Sequence, residues 1–487
     1  MHEKDSSSGF IRKIMKNFVW LLLQLGITRL FGFFFALILA RDLRQNDFGI
    51  YTYAISLTGI ILVIADLGLS SLVFREISRQ REKAAEIFSR AFAAKLPLTL
   101  GVLILFSIVF LCTHAPGGRL AVLAIAAAFF AQNLAGFFSM PFKATEQMQF
   151  LAIGDFVFKL LLISGVWIIL RFTSDLLPVG IAYAACGFIY ALFYVVLYVR
   201  YFSFARISKG LSGFLANSAF QIRNSAPMAL AGLIMVVYIN ADILMIKWFK
   251  GEVVTGLYGV SYNFYLGLAL AASILVQSML PRLSYSIENR QLDVSASLLR
   301  GAVKLLFIFS VPLALGSFLL SDQLVPFFYG ARYMGSVSAF RIFMVAIVFT
   351  YFNLLLGNVL FAERKQNEIN VIYFITIVIN VLFNLILIPR FSLNGAAFAT
   401  LVAEISFTGI VLFRYPAFLR HFRFDWIWRI ACASVAMGLA IVAIRHSIAF
   451  PLTVVCGMSV CAGMLAILGT FRSEKELLLG LLRGIRI

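Results

Sequence analysis

Fourteen apolar runs, separated by short polar breaks, order the whole chain. They cover about 17–40, 49–74, 91–113, 119–140, 151–171 and 176–199, then 218–245, 255–280, 300–320, 338–361, 367–389 and 393–415, and last 426–446 and 450–470. Each is close to the ~20 residues that an α-helix needs to cross the hydrocarbon core of a bilayer. The pattern therefore predicts an all-α integral membrane protein with about fourteen transmembrane helices. The first run follows the basic stretch "MHEKDSSSGFIRKIMKN". It is too long for a signal-peptide core and lacks a small-x-small cleavage site, so it predicts an uncleaved first span.

The breaks repeat. Gly49-Ile50-Tyr51, just after the first break, is echoed 207 residues later by Gly256-Leu257-Tyr258. The same shift pairs Arg75 with Arg282 and Lys16 with Arg223. Further on, "VGIAYAAC" (179–186) matches "NGAAFATL" (394–401) at a shift of 215. Spans 1–6 thus resemble spans 7–12, and six spans per half make the two copies parallel. Parallel repeats about an axis along the membrane normal are a transporter design. The expected organisation is an N-terminal lobe over 1–200, a cytoplasmic linker over 201–217 and a C-terminal lobe over 218–415. Two further helices over 416–470 and an amphipathic tail over 471–487 follow. That tail is expected on the inner membrane surface, with docking of assembly proteins as the other reading.

Composition agrees. Hydrophobic residues make up 62% of the 487, and charged residues 13%, against about a quarter charged in soluble domains. The net charge of +19 has a pattern. With the N-terminus inside, 28 of the 41 Lys and Arg fall in cytoplasmic loops and 10 outside. Basic loops stay cytoplasmic, so both termini are expected inside, with the basic excess facing anionic lipid headgroups. No break is long enough for a basic soluble domain, which argues against a nucleic-acid partner. Nor is there room for the extramembrane segment with paired carboxylates that a membrane glycosyltransferase would carry. Walker A, Ser-His-Asp and Cys-His sets are missing from the sequence. The five cysteines and four histidines are scattered without metal or disulfide spacing. A transporter without cofactor or metal is expected, rather than an enzyme.

Three stretches carry a family resemblance: "LARDLRQNDFGIYTYAISL" (39–57), "ADLGLSSLVFREISR" (65–79) and "NADILMIKWFKGEVVTGLYGVSYN" (240–263). The chain resembles polysaccharide flippases of the O-antigen, Wzx type, within the multidrug, oligosaccharidyl-lipid and polysaccharide exporter superfamily. The resemblance spans nearly the whole chain. It implies transfer of an oligosaccharide on undecaprenyl pyrophosphate from the cytoplasmic to the periplasmic leaflet of the bacterial inner membrane, by alternating access, for surface polysaccharide synthesis. It also implies membrane lipids, H+ or Na+, and polysaccharide polymerase or assembly proteins as partners. A flippase of the peptidoglycan precursor lipid II, a cation-coupled exporter of small amphiphiles and a non-transporting scaffold remain open beside it.

Such a headgroup cannot cross ~30 Å of hydrocarbon unaided, so charges within the spans become candidate cavity residues. Arg29, mid-span 1, is a candidate contact for pyrophosphate or an acidic sugar. The competing reading is an ion pair with Asp66 in span 2, and a cavity-facing pair satisfies both. Arg223 lies at the cytoplasmic mouth of span 7, for capture or simple snorkelling, and Pro227 beyond it is expected to kink that span. Asp155 and Lys159 are one helical turn apart, either as an ion pair or with Lys159 adding positive character to the cavity. Asp242 matches the family's signature aspartate, for substrate handling or structure. Glu404, deep in span 12, is the candidate for ion coupling, against a satisfied hydrogen-bonding role.

Overall fold

A computed structural model describes residues 20, 23, 24, 26–28, 30–113, 118–202, 214–421 and 424–470. The basic N-terminal stretch, Arg29, most of the linker over 201–217 and the expected amphipathic tail over 471–487 lie outside the described residues. Helical residues 30–42 form α1. Then follow α2 (Gln45–Asp66), α3 (Leu69–Arg79), α4 (Ala84–Thr113), α5 (Arg119–Ala144), α6 (Met148–Leu170) and α7 (Leu176–Phe202). Next come α8 (Phe214–Glu288), α9 (Leu292–Leu319), α10 (Ser321–Tyr329), α11 (Val337–Ala362), α12 (Gln366–Arg414), α13 (Phe424–Ile444) and α14 (Phe450–Ile467). Among the described residues, eleven helices are long and apolar enough to cross a membrane.

Two of these eleven are double. Helix α8 is interrupted at Gly251 (φ 81°, ψ −173°) and α12 at Ser392 (φ 55°, ψ −135°). Both interruptions fall in polar breaks of the sequence, and each divides its helix into two of the expected spans. The eleven helices thus hold thirteen of the fourteen apolar runs, and α1 ends the remaining one.

Three local features differ from the sequence reading. The run 49–74 is not one helix, because Leu67 (φ 42°) and Gly68 (φ 75°) turn the chain between α2 and α3. Residues 321–336, expected as loop, form α10 and a 3-10 turn over Ala331–Ser336. Helix α8 runs through Pro227, and the interruption within it comes instead at Gly251.

The chain divides into two compact units, Met1–Gly256 and Leu257–Ile487. In the first, α5 packs along α7 through glycines. A Cβ at Gly180 would sit 3.2 Å from the Ala121 carbonyl oxygen, and one at Gly187 2.8 Å from that of Ala128. Small residues at such spacing let membrane helices approach backbone to backbone. An aromatic core closes one end of this unit. The buried Phe88 ring lies 4.3 Å from Tyr198 and 5.0 Å from Phe137 between centroids. At its far end the two echoed glycines meet. A Cβ on Gly49 would fall 1.9 Å from the Glu252 carbonyl oxygen, and one on Gly256 would fall 2.9 Å from that of Gln45 and 3.2 Å from Gly49 N. In the second unit, Tyr258, Tyr262 and Tyr265 line one face of α8 one turn apart and pack on Phe343 of α11, at 5.0–5.7 Å.

Candidate functional site

Buried polar groups inside apolar helices need partners. In the first unit they gather at the α2–α3 break. The turn through Leu67 and Gly68 ends α2 and leaves its last carbonyls without the next turn of amides. Lys95, which lies within α4 and is fully buried, reaches that end. Its ammonium donates to the Ala65 carbonyl at 3.2 Å, to Asp66 Oδ1 at 2.6 Å and to Asn133 Oδ1, from α5, at 2.5 Å. Three N–H groups meet three oxygens, which is the full capacity of a lysine. Ser70 Oγ also donates to Asp66 Oδ1 at 2.6 Å, and Thr99 shares the Ala65 carbonyl at 3.4 Å. The Phe137 ring lies 5.8 Å from the nitrogen.

Sequence reading missed this residue. The count of 28 cytoplasmic basic residues includes Lys95, which stands near the edge of the run 91–113. Asp66 was given Arg29 as its candidate partner; its observed partner is Lys95, and Arg29 lies outside the described residues. A signal was available: Asn133 interrupts the apolar run 119–140, and a lysine already inside a run needs a partner of its own.

A second group surrounds Asp155 in α6. Its carboxylate accepts from Gln24 Nε2 at 3.0 Å, from Thr28 Oγ1 at 3.2 Å and from the Tyr190 hydroxyl of α7. Among the described residues, Asp155 and Lys159 do not come within ion-pair distance. The Lys159 ammonium lies 5.1 Å from the Phe158 ring centroid. Asp242 is 5% exposed within α8. Arg223 belongs to the same helix, and its side chain lies outside the described set.

The second unit holds a different network. Glu404 of α12 is 5% exposed. Its Oε1 accepts from the Tyr265 hydroxyl at 3.1 Å and its Oε2 from Asn353 Nδ2 at 2.6 Å. Asn353 Nδ2 also donates to the Glu404 backbone carbonyl at 2.9 Å, while its Oδ1 accepts from Thr408 at 2.7 Å. The amide is therefore fixed with its NH2 toward the carboxylate. Tyr265 and Thr350 share a hydrogen bond of 2.6 Å. None of Tyr265, Thr350, Asn353 or Thr408 was singled out from sequence, because neutral polar residues barely dent an apolar run.

Two more cations, the buried Lys304 and the half-buried Arg429, end the last span. Lys304 donates to the Thr470 carbonyl at 2.7 Å and Arg429 to that of Leu468 at 3.1 Å. Both cap the negative end of α14. Among the described residues no group of three His, Cys, Asp or Glu is placed to hold a metal.

This all-α bundle shares its fold with solved transporters of the MOP superfamily. "Lipid II flippase MurJ, inward closed conformation" superposes with a TM-score of 0.77 at 14% identity, covering 94% of this chain and 99% of that one. An inward-facing multidrug resistance MATE family transporter of the MOP superfamily gives 0.64 at 16% identity, over 83% and 99%. The chain belongs to the polysaccharide biosynthesis protein family, whose family model matches residues 14–287. The lipid II flippase MurJ model matches residues 180–458. Among curated relatives, the capsular polysaccharide biosynthesis protein CapF of Staphylococcus aureus is 19% identical over 82% of this chain and 98% of its own. The probable low-salt glycan biosynthesis flippase Agl15 of Haloferax volcanii is 20% identical over 78% and 79%. The protein is thus a multi-pass membrane flippase of the MOP superfamily, and its families are flippases and transporters rather than enzymes.

Proposed function

We propose that the protein carries an undecaprenyl-pyrophosphate-linked oligosaccharide from the cytoplasmic to the periplasmic leaflet of a bacterial inner membrane, for surface polysaccharide synthesis. The observation that carries this reading is the match to the polysaccharide family together with the alignment to CapF over 98% of that relative's length. Alternating access between an N-terminal lobe (1–200) and a C-terminal lobe (218–415) would move the headgroup while the lipid tail stays in the bilayer. Arg29, Lys159 and Arg223 supply positive charge for the pyrophosphate. Asp242 lies on the same path, and Asp66, held by Lys95, shapes its wall. Glu404 is the coupling carboxylate for H+ or Na+, since a buried carboxylate set among hydrogen-bond donors can exchange a cation as the site opens. Both termini lie in the cytoplasm, where polymerase or assembly proteins can meet the tail.

Deleting the gene and locating the lipid-linked oligosaccharide tests this reading. It should accumulate on the cytoplasmic leaflet, and Arg29→Ala should reproduce that defect with normal membrane insertion. Normal periplasmic delivery, with no second flippase present, overturns the proposal. A lipid II reading draws on the MurJ model match. Growth of a cell depleted of its own lipid II flippase and supplied with this chain would favour it.

A further inference from the structure

Lys95 is a buried cation whose surroundings are those of an ion site. Its three ligands are a backbone carbonyl, a carboxylate oxygen and an amide oxygen, drawn from the end of α2 and from α5. Hard oxygen donors of this kind hold small cations. The carbonyl belongs to a helix C-terminus, where the macrodipole concentrates negative charge. The break that exposes it is set by two successive left-handed residues, one of them Leu67, where a side chain disfavours that conformation. Neutralising Asp66 alone would need only one of the three contacts.

We propose that the Lys95 ammonium is a tethered cation. It fills, from within the chain, an oxygen-lined site suited to a small monovalent cation, and so sets the α2–α3 break without an inorganic ion. Because all three N–H groups are engaged, Lys95 acts as a positioning residue and offers nothing to a phosphate. Removing the side chain beyond Cβ leaves a vacancy of ammonium size, lined by the same three oxygens.

The test uses the full-length protein in detergent, with Lys95→Ala melted in choline, sodium, potassium, ammonium or methylammonium chloride. In choline the midpoint should fall by about 10 °C. Potassium, ammonium or methylammonium should restore a large part of it, saturably, and leave the parent protein unmoved. An equal midpoint in every salt overturns the proposal. The double variant Lys95→Met with Asp66→Asn separates this from simple charge balance. The proposal expects it to stay below the parent, because the Ala65 and Asn133 oxygens remain unserved; recovery of the parent midpoint overturns it. Should Lys95→Ala not accumulate, Asn133→Leu carries the test. It keeps the ion pair and removes one neutral ligand, so a midpoint lowered by several degrees supports the site and an unchanged one refutes it.

Discussion

The two units solve the same problem in opposite ways. Around Lys95, a full positive charge is enclosed by oxygens and meets a full negative one, Asp66, at 2.6 Å. Around Glu404, a carboxylate is met by the tyrosine hydroxyl of Tyr265 and the amide of Asn353. A charge-to-charge pair in an apolar interior is rigid, because neither partner can leave without stranding the other. The hydroxyl of Tyr265 and the amide of Asn353 are neutral donors, so losing either strands no counter-charge. The first arrangement suits a fixed element; the second bears on the coupling role proposed for Glu404.

Four substitutions probe that contrast, from the largest expected effect down. Asp66→Ala strands the Lys95 charge and should lower stability by about 3–5 kcal/mol, read as a fall in the thermal midpoint of the detergent-solubilised protein. A loss below about 1 kcal/mol would mean the pair behaves like a surface bridge. Asn353→Leu removes the amide donor to Glu404 Oε2 and one of the two acceptors of Thr408 and should cost about 1–3 kcal/mol, by the same measurement. Glu404→Gln keeps shape and one acceptor, so its stability should change by about 1 kcal/mol. Its flux in proteoliposomes should nevertheless lose the dependence on pH or sodium shown by the parent; retained dependence removes Glu404 from the coupling role. Arg44→Ala opens an ion pair to Asp175 whose side chains are 71% and 56% exposed. Its effect should lie within about 1 kcal/mol of zero and vanish in high salt. A larger loss would show that exposure is a poor guide to which charges matter in this chain.

Sequence carried the helices further than the networks. Apolar runs found the spans because crossing a bilayer demands length and apolarity together. They even placed the interruptions at Gly251 and Ser392 within polar breaks. The turn at Leu67 escaped, since a leucine followed by a glycine looks like any other part of an apolar run. Charged residues were visible one at a time, so Asp66 and Glu404 stood out. Their partners did not. Lys95 lies 29 residues from Asp66, and Tyr265 lies 139 from Glu404. Pairings at such range follow from helix packing, which hydropathy does not encode. The same reasoning gave an ion pair with Lys159 as one reading of Asp155, from their spacing alone. Helix packing instead supplied Asp155 with Tyr190, Gln24 and Thr28.

The meeting of Gly49 with the 252–256 segment has a consequence for how the gene can change. The two segments echo one another in sequence, and ordinary drift would let such echoes fade independently. Here each has become the other's mould. A methyl group gained at Gly49 would press on the Glu252 carbonyl, and one gained at Gly256 on the backbone of Gln45 and Gly49, so neither position can take a larger residue unless the facing backbone moves.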